Sequence, residues 1–199
     1  MAALKEWAIV CNALEDGLQT VLLRKGGIME YKDGFEVKHD SFFLYPTLEH
    51  QSREYLQSNY LEKFDRKYTN PINADGQNRI SIRSWAKVER IIEIFNANEL
   101  AKINDYHIWN NKYLQLRMNY NSSKPLTVMV IRVYKLLSPL NLEIDPKWSG
   151  CKSWIDIQVP AYDSLNSSVA INKSELIEPV LIDSEFEKIS YELEEALKS

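Results

Sequence analysis

Apolar residues recur along this chain in blocks of different period, and each period predicts an element. Leu4, Trp7, Ala8, Cys11 and Leu14 keep helical spacing and Gly17 follows the last of them, so the pattern predicts an N-terminal helix with a buried face. Residues 18–25, LQTVLLRK, mix β-branched residues and leucines and predict a strand ending at Gly26-Gly27, a pair suited to positive φ and close backbone approach. FFLY at 42–45 reads as a short apolar strand that Pro46 ends, with Thr47 capping a half-exposed helix over roughly 48–68. After turn residues at 70–78, the segment 79–95 alternates well enough for one long or broken strand.

Two short helices are expected next, over about 98–104 and 107–119. LTVMVIRVYKLL at 126–137 is almost continuously apolar, the pattern of a strand covered on both faces, and is expected at the centre of a sheet. SPLNLEIDP reads as a connecting loop, SWIDIQV at 153–159 as a further alternating strand, and 162–174 as a polar surface excursion. Ser184 to Glu187 forms a capping box, and Phe186, Ile189, Leu193, Ala196 and Leu197 keep helical spacing to the end, which predicts a docked C-terminal helix. With no regular βαβ alternation, the order predicts an α+β fold. We expect one domain over 1–199, with a mixed or barrel-like, largely antiparallel sheet between an N-terminal and a C-terminal helix.

Composition supports this picture without enlarging it. Across 199 residues, 45% are hydrophobic and 26% charged, ample for a core, and no apolar run approaches the roughly 20 residues that span a bilayer. The N-terminus carries Glu6, Glu15 and Asp16 in place of a signal peptide's basic-then-apolar plan, so a cytoplasmic protein is expected. Cys11 and Cys151 have neither a CxxC nor a metal spacing and read as two buried thiols. Residues 1–135 hold 19 Lys or Arg against 16 Asp or Glu, whereas residues 136–199 hold 5 against 12. The net charge of −4 argues against a protein that coats nucleic acid, but the basic front leaves room for a local basic groove.

Candidate chemistry crowds between Arg24 and His50. Arg24 and Lys25, at a strand end beside glycine amides, can hold a phosphate or carboxylate, although the spacing is not a phosphate loop and a solvated hairpin turn explains it equally well. Glu36 and Lys38 form an ExK triplet, half of a PD-(D/E)xK nuclease centre that would need Mg²⁺ and a further carboxylate such as Glu30 or Asp40; the Pro-Asp half is missing. His39, His50 and His107 are the only histidines and show no zinc spacing. His50 is expected in the first turn of the helix that Thr47 caps, where the dipole favours a neutral ring able to act as a base; a structural histidine is the plainer alternative. Aromatics alternate with bases around Trp85, Trp109 and Tyr113, near Asn110, Lys112 and Arg117, which suits stacking on exposed bases if the rings are not core.

The candidate ligand-binding set is therefore Arg24, Lys25, Glu36, Lys38, His39, Thr47, His50 and Arg117, with no cofactor or metal expected. RNA, single-stranded DNA or a nucleotide in a basic groove is the leading expectation, with no membrane contact. A Mg²⁺-dependent nuclease and a non-enzymatic protein-binding domain using the acidic C-terminal half are the alternatives.

Residues EWA (6–8), LLRKGGI (22–28), FFLYPT (42–47), His50, HIW (107–109), RVYKL (132–136) and GCKSWI (150–155) together resemble an uncharacterised bacterial and archaeal family, the domain of unknown function numbered eighteen-oh-two. That resemblance spans almost the whole chain and implies no established activity. Residues 4–25 alone, with Trp-Ala near a helix start, Gly17, Gln19-Thr20 and a strand closing on LLR, are similar to the opening of ASCH-type domains of the PUA-like superfamily. There a G-x-K-T turn leads into a strand reading E-x-R, and the resemblance implies a small β-barrel that binds RNA or modified nucleotides. This chain has Gln19 where that pattern has lysine and Leu22 where it has glutamate, which leaves Arg24 as the polar match.

Overall fold

A computed structural model describes residues 1–26, 35–67, 78–166 and 173–198. Gly27, Glu30, most of the turn at 70–78 and residues 167–172 of the polar excursion lie outside the described residues. Seven strands are described: β1 (Ala2–Trp7), β2 (Val21–Arg24), β3 (Ser41–Thr47), β4 (Arg79–Ile94), β5 (Leu126–Glu143), β6 (Trp154–Asp156) and β7 (Ile177–Pro179). The helices are α1 (Ala8–Glu15), α2 (Ser58–Lys67), α3 (Ala97–Ala101), α4 (Asn111–Asn119) and α5 (Asp183–Lys198).

The strands form one open, mixed sheet in the order β2-β5-β4-β3-β1-β6, with β7 also on β5. Its pairs are antiparallel except β1 with β3, where Ala3 to Trp7 run beside Phe43 to Thr47. The long antiparallel β4–β5 pair is its spine. β5 pairs with β4 along its length, and on its other side with β2 at Thr127–Val130 and with β7 at Tyr134–Leu136. This two-sided pairing makes β5 a central strand, and cores on both faces of the sheet account for its unbroken apolar run. β3 shows the same arrangement: Phe42 and Leu44 enter the core under α1 and α5, while Phe43 and Tyr45 enter a second core with Ile80, Trp85, Trp148 and Ile155.

Four expectations are corrected. The predicted N-terminal helix is a strand up to Trp7 and a helix only from Ala8; Leu4 and Trp7 fit helical spacing, but Ala2 to Leu4 lie between β3 and β6 and are buried. The predicted stop survives: Gly17 at φ 71 closes α1, with Leu18 N donating to Ala13 O at 2.9 Å and Gly17 N to Leu14 O at 3.1 Å. The helix expected from 48 begins only at Ser58, because after a short 3-10 turn at Arg53–Tyr55 the extended Leu56 is bridged to Trp109 and its neighbours are tied to 108–110. Asn110 N donates to Tyr55 O and Gln57 N to Ile108 O, both at 2.9 Å, and Gln57 Nε2 donates to three carbonyls, those of Asn104, His107 and Trp109. Thr47 consequently caps nothing; it ends β3 opposite Trp7. The loop expected after Leu137 is the continuation of β5, and Pro139 is accommodated where the register with β4 shifts between Ile82 and Ser84. Finally, Cys11 is buried as expected, but Cys151 is exposed, and both are free thiols.

α5 docks through Phe186 and Leu193, and Arg90 Nη1 meets Glu194 Oε2 at 2.7 Å to fix it on β4. Among the described residues, no helix is long and apolar enough to cross a membrane.

Candidate functional site

The ends of β1, β2 and β3 meet the helix α4 around a cleft of about 560 Å³. β1 supplies Lys5, Glu6 and Trp7, β2 Leu23 and Arg24, β3 Thr47, and α4 Tyr113, Leu116 and Arg117; His50 to Tyr55 and Gly150 to Ser153 form the rims. Although β2 stands at one end of the strand order and β1 near the other, the sheet curls far enough for Arg24 Nη1 to reach Lys5 O at 3.3 Å and Glu6 Oε2 at 3.1 Å. Both side chains of that pair are largely withdrawn from solvent, 15% and 9% exposed. The Arg24 guanidinium also lies 5.0 Å from the centroid of Phe35, which stacks on Trp154.

One wall is aromatic. Tyr113 stacks on buried Trp109 with centroids 4.0 Å apart, Trp7 meets Trp109 edge-on at 5.0 Å, and Tyr55 lies 5.6 Å from Tyr113. Trp7, Tyr55 and Tyr113 are half-buried and line the cleft, whereas Trp85 and Trp109 are core. The Tyr113 hydroxyl is pushed up to about 12, mainly by burial; Glu6 and Tyr55 add to this and Arg117 and Arg24 oppose it. The phenol is therefore a hydrogen-bond donor at any physiological pH.

Four cations, Lys5, Arg24, Arg117 and Lys152, and three carboxylates, Glu6, Glu49 and Glu54, line this space. Most of the cations are occupied. Lys5 Nζ donates to the carbonyls of Gly150 and Trp148 at 2.9 and 3.1 Å, Arg24 is held by Glu6, and Lys152 Nζ donates to Lys147 O at 3.2 Å. Glu54 is engaged outside by Lys112, whose hydrogen bond draws its carboxyl below the usual range. Arg117 differs: among the described residues no carboxylate lies within ion-pair distance, its guanidinium rests 5.7 Å from the Tyr120 ring, and its Nε is buried without a hydrogen-bond partner.

Of the eight residues singled out from sequence, the structure brings Arg24, Thr47, His50 and Arg117 to this cleft. His50 sits at its rim in the left-handed region, φ 62, in a turn and not in a helix. Lys25 goes elsewhere: it is 2% exposed, its Nζ donates to Met118 O at 3.4 Å in the last turn of α4, and burial together with Arg117 lowers its pKa. An ammonium at a helix C-terminus meets carbonyls that lack intrahelical donors, so this lysine has a structural task. Glu36, Lys38 and His39 are exposed in the segment before β3 and do not line the cleft; Glu36 contributes its carbonyl to Trp154 Nε1 at 3.0 Å, and His39 meets the Trp154 ring at 5.1 Å. Among the described residues no three His, Cys, Asp or Glu gather as metal ligands. Sequence reasoning missed Lys5, Glu6, Trp7, Tyr55 and Lys152. The only available signal was Lys5-Glu6, a charged pair set between two apolar runs.

A search of curated proteins finds no match. Among solved structures, a tyrosine-to-phenylalanine mutant of ZmASCH from Zymomonas mobilis is similar at 13% identity and a TM-score of 0.47, over 79% of this chain and 89% of that one. A serine-to-alanine mutant of the same protein gives 14% identity and a TM-score of 0.39, over 66% of each chain. Residues 3–192 match the model of one family across nearly the whole length, and the chain belongs to it: the domain of unknown function DUF1802.

Proposed function

We propose that this cleft binds a nucleotide or a single-stranded nucleic acid, with Arg117 as the phosphate contact and the Trp7, Tyr55 and Tyr113 wall as the surface on which a base stacks. The observation that carries the reading is Arg117. A guanidinium with no carboxylate nearby among the described residues, and with a buried Nε lacking an acceptor, is an unfinished arrangement inside the protein, since an unsatisfied buried donor costs about 1–3 kcal/mol. A phosphate in the cleft takes charge-assisted bonds from the terminal Nη groups of the guanidinium, to which the planar fork of arginine is suited, and balances a charge that no described carboxylate meets. The half-buried rings add sequence-tolerant stacking of about 1–3 kcal/mol per base. His50 joins them as a rim donor or acceptor whose left-handed backbone is a strain of the kind that accumulates at binding sites. Arg24 is not the phosphate contact in this reading, because Glu6 and Lys5 O hold its Nη1 at the cleft floor.

The experiment is fluorescence anisotropy with short labelled single-stranded RNA and DNA, with nucleoside monophosphates as competitors. Binding at low salt that weakens steadily as salt is added is the expected result. Failure of every one of these probes to bind at low salt would remove the proposal.

A further inference from the structure

Of the three carboxylates that line the cleft, one is withdrawn from solvent. Glu6 is a lining residue whose side chain is only 9% exposed, unlike the well-exposed Glu49 and Glu54. Its Oε1 accepts from Trp7 N at 2.7 Å and its Oε2 from Arg24 Nη1 at 3.1 Å. An ionised carboxylate has about four acceptor positions, so each oxygen can take a further donor. Arg24 likewise uses only Nη1 in the contacts described, to Glu6 and to Lys5 O, out of five N–H donors. An acceptor and a donor are thus fixed side by side at the cleft floor, next to the Trp7 ring that belongs to the same strand end.

That pairing has a natural complement. Adenine presents an amino N–H next to a ring-nitrogen acceptor, and cytosine does the same; their deaminated counterparts, hypoxanthine and uracil, place a carbonyl oxygen where the amino group was. We propose that Glu6 is the specificity-determining residue of the cleft and selects amino-bearing bases, its carboxylate accepting from the exocyclic amino group while Arg24 donates to the adjacent ring nitrogen. The inference rests on the cleft being a nucleotide site. A carbonyl in place of the amino group sets two acceptors against each other with no proton between them, and bidentate readout of this kind discriminates by about 10- to 100-fold. Phosphate repulsion by Glu6 acts in the same sense, since it keeps the phosphate at the Arg117 end and turns the base towards β1.

The test compares dissociation constants of the wild-type protein for AMP against IMP and for CMP against UMP, and repeats the second comparison with short single strands of C and of U in case the cleft needs a polymer. Preference for the amino member of each pair by about tenfold or more is expected. Glu6→Gln, whose amide can either accept or donate, is expected to bring both ratios close to one while the Arg117 contact still holds the phosphate. Equal wild-type affinities within each pair overturn the inference and leave the nucleotide cleft standing, as does a preference that persists in Glu6→Gln. Binding of none of these ligands overturns the cleft reading itself. If Glu6→Gln loses its cooperative thermal melt, the wild-type ratios alone decide, and Glu6→Asp, which withdraws the carboxylate by one methylene, replaces it with the same expected fall in ratio.

Discussion

Replacing His107 with asparagine should flatten the acid side of this protein's stability profile. His107 is fully buried; its Nδ1 accepts from Trp109 N at 3.2 Å, which puts the proton of the neutral ring on Nε2, and that atom is buried without a partner. Burial lowers its pKa from the ordinary 6.5 to about 4, against smaller opposing effects from its own backbone, Asp105 and Trp109. Because the folded value lies below the unfolded one, the unfolded chain takes up the proton first as pH falls. The stability is therefore complete above pH 6.5 and is lost on descending towards pH 4. Between pH 7.5 and 5, above most carboxylate titration, the loss comes to about 2 kcal/mol, and over the whole window to about 3 kcal/mol. In His107→Asn, the amide oxygen can still accept from Trp109 N but nothing titrates, so urea unfolding at pH 5 and 7.5 should show the variant losing about 2 kcal/mol less than the wild type at similar m-values. Equal losses in the two proteins would refute the assignment of this pH dependence to His107.

Gly17→Ala should lower stability by about 1–2 kcal/mol, seen as a fall of about 2–8 °C in thermal midpoint, because position 17 has φ 71 and a Cβ there would lie 2.9 Å from Leu181 Cδ2; an unchanged midpoint would contradict the α1 stop. Leu193→Ala, at a wholly buried position of α5, should cost about 2–5 kcal/mol in chemical denaturation, whereas a cost below about 1 kcal/mol would mean that the helix is not docked as described. His50→Gly should raise stability by about 1 kcal/mol by relieving a left-handed backbone at φ 62 and should weaken ligand binding; a variant both less stable and equally active in binding assays would remove His50 from the site.

The elements that were legible in the sequence are those whose pattern is long and whose alternatives are poor. The unbroken apolar run of β5, the alternation of β4 and the heptad-like stripe of α5 were each readable, and the α+β class followed from their order. The first seven residues were not, since Leu4 and Trp7 satisfy helical spacing and only the pairing of Ala2 to Trp7 with β3 and β6 decides for strand. Thr47 and His50 carried a convincing cap signature that tertiary bonds from Tyr55 and Gln57 to the 104–110 segment override. At the site, local density of polar residues identified Arg24 and His50, and proximity on a helix identified Arg117. It also gathered Lys25, Glu36, Lys38 and His39, which the fold sends to the α4 terminus or to an exposed segment. Glu6 and Trp7 escaped because they belong to the cleft only through the curl of the sheet, which no local pattern encodes.

The central claim is that Arg117, which has no carboxylate partner among the described residues, is the phosphate contact, and the salt dependence of binding in Arg117→Gln tests it most directly. With a short single strand as ligand, the variant should bind more weakly, and the slope of log K against log salt should become shallower by about 0.7, the loss of one phosphate contact, while its thermal melt stays cooperative. A folded variant with the wild-type affinity and the wild-type slope would contradict the account.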